Sequence, residues 1–233
     1  MFAARDAKNY KNKITVPQFD LERFRKTEGE EAYHKAKLRY ELGLQEKKKR
    51  IEESKISLFK VPPTHEQGQI LHNLYLGYKE YRSKREGVPQ KPIIETMVDK
   101  TLLMHSQNKN VHGKMFGGYI INKALEIAWI CAKIHCGYKE LKNICIDSVN
   151  FHKPVPVGSI ATFKASIVYV HSELMHASVE VYNDVNGVIS LNTTINVIYL
   201  ADEQVPIVVP TTYDCGLKYL EAKRRSEDIY SHF

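Results

Sequence analysis

Apolar residues are sparse in the first third of the chain and regularly spaced after it. Residues 20–54 are dense in Glu, Lys and Arg, with only isolated apolar positions such as Leu38. This pattern predicts an exposed helix, or a pair of helices, with many charge pairs between residues four apart. Pro62 ends the region. Thr64 followed by Gln67 matches a capping box, which predicts the start of a further helix.

The pattern changes after residue 92, where apolar and β-prone positions become dense. Residues 93–105 predict a strand, and residues 114–136 predict one long helix that is apolar around most of its circumference and therefore buried. Four further strands are predicted, at residues 143–152, 161–171, 175–184 and 188–200. One strand, one buried helix and a run of antiparallel strands predict an α+β protein with the hotdog fold, in which the sheet wraps around the helix.

Composition narrows the classes of partner. The formal net charge is +7 and the pI is about 9.0, which favours an anionic partner such as nucleic acid, a membrane surface or coenzyme A. The basic arm interleaves Glu with Lys and Arg and has no aromatic RNA-binding motif, so a solvated helix is expected and nucleic-acid binding is not. Mean hydropathy is -0.39, and without an apolar run of about 18 residues no membrane span is predicted.

The cysteines give no indication of a metal site. Four are present and none lies in a C-x-x-C pair, which favours reduced thiols over disulfides or zinc. Cys131 and His135 lie four residues apart on the predicted helix, but two ligands without a third are weak evidence. We therefore expect no metal.

The segment most informative about chemistry is residues 110–119, NVHGKMFGGY, directly before the long helix. Gly117 and Gly118 at a helix start let a ligand approach the backbone, because no Cβ stands in the way. The free N–H groups and the positive end of the helix dipole polarise a carbonyl oxygen placed there. A thioester carbonyl would gain an oxyanion-hole effect. Alternatively, the two glycines serve only tight packing of the helix.

This segment resembles the signature of the acyl-CoA thioesterase hotdog family, N-x-x-G-x-x-F-G-G followed by a long apolar helix. The resemblance extends through residues 147–159, DSVNFHKPVPVGS, and into residues 205–213, VPIVVPTTY. That tail is similar to the C-terminal half of mitochondrial acyl-CoA thioesterases that carry two hotdog domains in one chain. The match covers residues 92 to about 225, and the charged arm resembles the linker between the two domains.

The resemblance implies a division of the chain into four parts. Residues 1–7 look like the last strand of a preceding hotdog, residues 8–91 form a charged helical arm, residues 92–204 form the hotdog domain, and residues 205–233 form a tail with a short basic helix. It also implies hydrolysis of acyl-CoA to a free acid and coenzyme A without metal or organic cofactor. The location implied is mitochondrial, although the N-terminus shows no clear import signal, and cytoplasmic is the alternative.

The family's site residues carry over onto the signature. Asn110 is the signature asparagine, which would orient the attacking water or the thioester. Gly118 is the amide donor at the helix start, with Gly117 beside it.

The chain departs from the family where single-hotdog relatives carry a catalytic carboxylate. That position, about seven residues after the second glycine, is Leu125. Glu126 follows, rotated by about 100° around the helix, and is either the acid or merely a buried partner of Lys133 or of a backbone donor. In two-hotdog relatives one domain supplies the carboxylate and the other the asparagine, and this chain resembles the asparagine half.

The remaining candidates for substrate contact are His112, Phe116, Asp147, Lys153 and Arg224. His112 and Phe116 lie in the signature, and a structural or solvent-facing role is the favoured alternative for His112. Asp147 begins a strand that faces the helix. Lys153 and Arg224 would meet the phosphates of coenzyme A, with solvated surface roles as the alternative.

Two classes of function remain open. The first is an acyl-CoA hydrolase that works through a pair of hotdogs. The second is a catalytically incomplete hotdog that binds coenzyme A or serves as a scaffold, which Leu125 favours. A hotdog dehydratase would need an Asp/His pair near the helix start, and only His112 is present there. A lone hotdog leaves a sheet edge and a helix face uncovered, so a homo-oligomer or a partner hotdog domain is expected.

Overall fold

The computed structural model describes residues 21–55 and 57–230, so the stub predicted at residues 1–7 lies outside the described residues. The chain divides into two compact units, Met1–Val61 and Pro62–Phe233. The first unit contains α1 (Leu21–Glu28) and α2 (Glu30–Lys55). Lys35 pairs with Glu31 one turn away at 2.7 Å. Of the two predicted alternatives, one charged helix or a pair, the structure has the pair.

The second unit opens with α3 (His65–Lys84), which begins at the predicted capping box. The Thr64 hydroxyl accepts a hydrogen bond from the Gln67 amide at 3.3 Å, and Gln67 Oε1 accepts one from the Thr64 amide at 3.0 Å. These two bonds satisfy amides that a helix start otherwise leaves unpaired. None of the side chains of α3 is buried.

The strands of the second unit form two sheets. In chain order the described strands are β1 (Gln90–Pro92), β2 (Val98–Leu103), β3 (Leu141–Phe151), β4 (Ile160–His171), β5 (Leu174–Val185), β6 (Val188–Ala201) and β7 (Ile207–Val209). β1 pairs in parallel with β7. The other five form one antiparallel sheet in the order β2-β4-β5-β6-β3, which leaves β3 at an edge.

Two helices flank the five-stranded sheet, α4 (Gly117–His135) and α5 (Tyr213–Tyr230). α4 packs on β2, β4, β5 and β6, and strand residues such as Phe163 and Val179 are fully buried. Glu180, the neighbour of Val179, pairs with Lys218 of α5 at 3.0 Å. Because successive strand residues point to opposite faces, α5 covers the face of the sheet opposite α4. The sheet around one long helix is the predicted hotdog arrangement.

The strand predicted at residues 93–105 is wrong in its first part. Ile93–Thr96 is a 3-10 helix, and the strand begins at Val98. The Thr96 hydroxyl donates to the Ile93 carbonyl at 2.7 Å and accepts from the Ile167 amide at 3.0 Å, so this side chain holds the turn. The C-terminal helix is also longer than predicted, with 18 residues.

The expectation that the long helix is buried is wrong for one face of α4. Trp129, Ile130 and Ile134 remain 45%, 40% and 42% exposed. The opposite side of α4 is tightly packed, with Ala124 and Ala128 fully buried. No helix among residues 21–55 and 57–230 combines the length and apolarity needed to cross a membrane.

Candidate active site

The start of α4 presents unpaired amide groups. Phe116 is the N-cap residue, and no side chain caps this end of the helix. The Phe116 amide donates to the Asn108 carbonyl at 2.9 Å, which anchors the preceding loop. The amides of Gly117 and Gly118 donate to no backbone acceptor among the described residues. Two donors at the positive end of the helix dipole are therefore available to an external carbonyl.

Asn110 organises the loop in front of the helix. Its Oδ1 accepts hydrogen bonds from the His112 amide at 2.9 Å and from the Lys114 amide at 3.1 Å. Its backbone amide donates to the Lys114 carbonyl at 2.6 Å. Oδ1 is thus used in holding the loop. The Nδ2 group has no partner within the described part of the chain, so Asn110 can act on a ligand as a donor.

The two glycines lie in close contact with aromatic side chains. A Cβ on Gly117 would lie 3.3 Å from Phe151 Cζ, and a Cβ on Gly118 would lie 2.5 Å from Phe116 Cε1. The close packing of the Gly-Gly pair is therefore observed, and its role in ligand access stays a prediction. The Phe116 ring covers Gly118 yet is 59% exposed, so it can move when a ligand approaches the helix start.

An open cavity of about 340 Å³ lies beside this helix start. Gly117 and Lys153 lie on its wall, and the remaining lining is largely apolar, contributed by Met115, Ile120, Phe151, Pro154 and Val155. Its volume falls at the lower end of the range for small-molecule sites, which typically have mostly apolar walls and a few polar groups. The structure therefore brings the predicted residues Gly117 and Lys153 together at one cavity.

The far wall of the cavity is held by a residue that sequence reasoning missed. Asn192 of β6 is 2% exposed. Its backbone carbonyl accepts from the His152 amide at 2.8 Å, and its Nδ2 donates to the Pro154 carbonyl at 3.2 Å. The turn at residues 152–155 is therefore tied to β6. No local pattern indicates this, because the partners lie about 40 residues apart in sequence.

Glu126 takes part in an ion-pair cluster on α4. Its carboxylate lies 2.7 Å from Lys123 Nζ and 3.6 Å from Lys100 Nζ, and the expected partner Lys133 instead donates to the Lys139 carbonyl. The hydrogen bond from Lys123 lowers the pKa of Glu126. The carboxylate is therefore anionic at neutral pH and held by cations.

Asp147 of β3 pairs with a residue of α5, and Arg224 lies in α5 and pairs with another residue of the same helix. Asp147 lies 2.7 Å from the Arg225 guanidinium, and Arg224 pairs with Glu221 at 2.7 Å. These charges are engaged on the sheet face that α5 covers, opposite α4. A contact of either residue with substrate stays a prediction, as does one from His112, an exposed residue whose amide is bound by Asn110.

The spacing of Cys131 and His135 does not correspond to a metal site. Cys131 Sγ donates to the Thr96 carbonyl at 3.2 Å, and burial raises the pKa of this thiol to about 12. His135 Nε2 bonds the Pro206 carbonyl at 2.9 Å. Residues 21–55 and 57–230 contain no group of three His, Cys, Asp or Glu side chains that could hold a metal ion.

An antiparallel sheet wrapped around one helix, with an open cavity at the helix start, is the arrangement of a hotdog domain. The family model for the thioesterase superfamily matches residues 112–190, which include the cavity-lining residues, α4 and the strands β3 to β5. Residues 112–190 therefore match the thioesterase superfamily, in agreement with the resemblance that the sequence shows.

Relatives point to the same family. The chain is 28% identical to mitochondrial acyl-coenzyme A thioesterase 9 of Mus musculus over 192 residues, which is 78% of this chain and 43% of that protein. The human protein of the same name is 28% identical over 187 residues, covering 76% of this chain and 42% of the relative. The chain thus spans less than half the length of these relatives.

Solved structures share the fold. An acyl-CoA hydrolase from Staphylococcus aureus, solved with butyryl coenzyme A and coenzyme A, has a TM-score of 0.58 at 28% identity and covers 62% of this chain and 92% of its own. An acyl-CoA hydrolase from Bacillus cereus has a TM-score of 0.58 at 24% identity, with 62% and 92% covered. The predicted hotdog fold class is thereby confirmed.

Proposed function

We propose that this chain is an acyl-CoA thioesterase domain that hydrolyses acyl-CoA to a free acid and coenzyme A. The observation that carries the proposal is the uncapped start of α4, where Gly117 lies on the wall of an open, mostly apolar cavity and Gly118 follows it in the helix. The names of the mouse and human relatives, and the coenzyme A ligands of the Staphylococcus aureus structure, support acyl-CoA as the substrate class.

Each residue of the site has a separate role in thioester hydrolysis. The thioester carbonyl oxygen accepts hydrogen bonds from the amides of Gly117 and Gly118, which stabilise the negative charge that develops in the transition state. Asn110 Nδ2 donates to the attacking water or to the thioester, while Asn110 Oδ1 keeps the loop folded. Lys153 at the cavity wall approaches the phosphates of coenzyme A as a point charge.

The activating carboxylate is expected from a second hotdog. Leu125 stands where single-hotdog relatives carry the acid, and Glu126 is held by two lysines. The relatives are more than twice as long as the matched segment. A second hotdog would supply the missing group, either from the longer protein or from another copy of this chain through an acid other than Glu126.

The second hotdog would dock on apolar surface that this chain leaves exposed. Trp129 and Ile134 of α4 are 45% and 42% exposed, and Ile144 and Ile146 of the edge strand β3 are 45% and 42% exposed. Edge strands with apolar side chains favour pairing with another chain. We expect at least a dimer, and sedimentation of a monomer at micromolar concentration would contradict this.

The decisive experiment follows free thiol released from a panel of acyl-CoAs by the purified chain, with Asn110→Ala alongside. Turnover by the wild type that Asn110→Ala abolishes is the expected result, because the variant loses the donor and loosens the loop. Asn108→Ala is a matched control, since Asn108 takes part in the loop through its backbone amide and carbonyl, which alanine retains. Equal turnover by the wild type and Asn110→Ala would refute the assigned role.

A catalytically incomplete hotdog that binds coenzyme A or acts as a scaffold is the second candidate, and Leu125 favours it. It predicts thermal stabilisation by coenzyme A without thiol release, because a ligand that binds only the folded state raises the unfolding free energy.

The mitochondrial names of the relatives support a mitochondrial location. Diffuse cytosolic fluorescence of the tagged full-length protein would contradict that location.

A further inference from the structure

Asn192 occupies a β-bulge directly behind the candidate site. Val181 and Tyr182 are consecutive in β5, yet they pair with Thr193 and Leu191 of β6, so Asn192 is the extra residue. Bulges bend a strand and redirect a side chain, and they are common near functional sites. Here the bulge turns the carbonyl and the side chain of Asn192 toward the turn at residues 152–155.

The hydrogen bonds of Asn192 require an amide side chain. Nδ2 donates to the Pro154 carbonyl at 3.2 Å and, less closely, to the Lys153 carbonyl at 3.5 Å. Oδ1 accepts from the Ser190 hydroxyl at 3.4 Å. A carboxylate has no donor for the two carbonyls, and an apolar residue would leave them without this partner. Asn192 is 2% exposed, so water would not freely replace its side chain as the partner of the two carbonyls.

The turn at residues 152–155, which Asn192 holds, forms the part of the cavity wall that faces Gly117. The cavity is lined by residues 151–155 on one side and by the start of α4 on the other. Phe151, the residue before the turn, lies within 3.3 Å of the position of a Cβ on Gly117. Any movement of the turn therefore changes the width of the cavity beside the glycine amides.

We propose that Asn192 is a positioning residue for acyl-CoA: its amide fixes the turn at residues 152–155 at the distance from Gly117 that the thioester arm requires. This inference rests on the proposed function. Asn192 touches no substrate itself and acts through the backbone of Lys153 and Pro154, which present the Lys153 side chain at the cavity.

The test compares Asn192→Ala with Asn196→Ala. Asn196 is a matched control because it is a buried asparagine of the same strand, whose Nδ2 donates to Ser148 at 2.8 Å, near the face covered by α5. Both variants lose a buried side-chain hydrogen bond, so urea unfolding should show similar losses of stability. Asn192→Asp keeps the side-chain size, removes the donor and places a carboxylate against the two carbonyls.

Two readouts separate positioning from general destabilisation. Amide hydrogen exchange in residues 151–156 should accelerate about fivefold in Asn192→Ala and Asn192→Asp, the factor that about 1 kcal/mol represents, and remain at the wild-type rate in Asn196→Ala. The Kd for coenzyme A and the KM for acyl-CoA should rise in the two Asn192 variants alone, with a smaller change in kcat.

The outcomes distinguish this inference from the proposed function. Equal exchange rates or equal Kd values in Asn192→Ala and Asn196→Ala, with the wild type binding coenzyme A, would overturn the role of Asn192 and leave the thioesterase proposal intact. A wild-type protein that neither binds coenzyme A nor releases thiol would refute the proposed function, and the inference about Asn192 with it.

Discussion

Replacing Gly118 with alanine is the sharpest perturbation of the helix start. The new Cβ would lie 2.5 Å from Phe116 Cε1, 3.1 Å from Cζ and 3.2 Å from Cδ1. Carbon atoms in contact normally lie about 3.5–4.0 Å apart, so either the Phe116 ring or the first turn of α4 must move by roughly 1 Å. The ring is 59% exposed and can rotate, so we expect only a small loss of stability.

The expected effect on catalysis is larger. Removing an oxyanion-hole donor outright costs about 10²–10³ in kcat. Gly118→Ala retains the amide but displaces it and crowds the approach of the carbonyl, so we expect a smaller fall in kcat, of about tenfold or more, which corresponds to about 1.4 kcal/mol of transition-state stabilisation.

Gly77→Ala in α3 is the matched control. A Cβ there meets nothing within 4 Å, and alanine is favoured over glycine within a helix by roughly 0.5–1 kcal/mol. Thiol release and urea unfolding should be measured on both variants. We expect Gly77→Ala to be more stable with unchanged kcat, and Gly118→Ala to lose kcat. An unchanged kcat in Gly118→Ala would refute the use of the helix-start amides.

Three further results are expected. Glu126→Gln should keep kcat and change stability by less than about 1 kcal/mol, because Glu126 is 40% exposed at the side chain and its pKa is lowered by Lys123. Thr193→Val should raise the unfolding free energy by up to about 1 kcal/mol, because the buried hydroxyl has no partner among residues 21–55 and 57–230. Burial lowers the pKa of His176 from 6.5 to about 4. The unfolded chain therefore takes up a proton between these pH values that the folded chain does not, so stability should fall by about 3 kcal/mol as the pH drops through this window, and His176→Gln should remove most of this dependence.

A specific outcome would contradict each of these three predictions. A loss of about 100-fold in kcat for Glu126→Gln would make Glu126 the general base. Destabilisation by Thr193→Val would mean that an ordered water pairs with the hydroxyl in solution. Unfolding free energies of the wild type that are equal at pH 6.5 and pH 4.5 would contradict the depressed pKa of His176.

Elements whose geometry depends on residues close in sequence can be predicted from the sequence alone. Thr64 and Gln67 are three residues apart, so their capping box is readable without a structure. Asn186 and Gly187 both take positive φ values, 54° and 83°, as the two-residue hairpin between Val185 and Val188 requires. The Gly-Gly helix start is readable for the same reason.

Features that depend on distant partners are not readable from the sequence. The first part of the strand predicted at residues 93–105 becomes a turn because Thr96 bonds the amide of Ile167, 71 residues away. In the sequence Asn192 is one polar residue of a predicted strand, and only the structure shows that it bonds the turn at residues 152–155. Glu126 could not be assigned from spacing alone, because Lys100 reaches it from β2.

The most direct test of the central claim observes the amides of Gly117 and Gly118 by NMR in protein labelled with ¹⁵N-glycine. The chain has 12 glycines, so the spectrum is simple, and the Gly117→Ala and Gly118→Ala variants assign the two signals. Saturation with a non-hydrolysable thioether analogue of acyl-CoA that retains a carbonyl should shift both signals and leave that of Gly77 in place. Binding of the analogue with both signals unmoved would contradict the account.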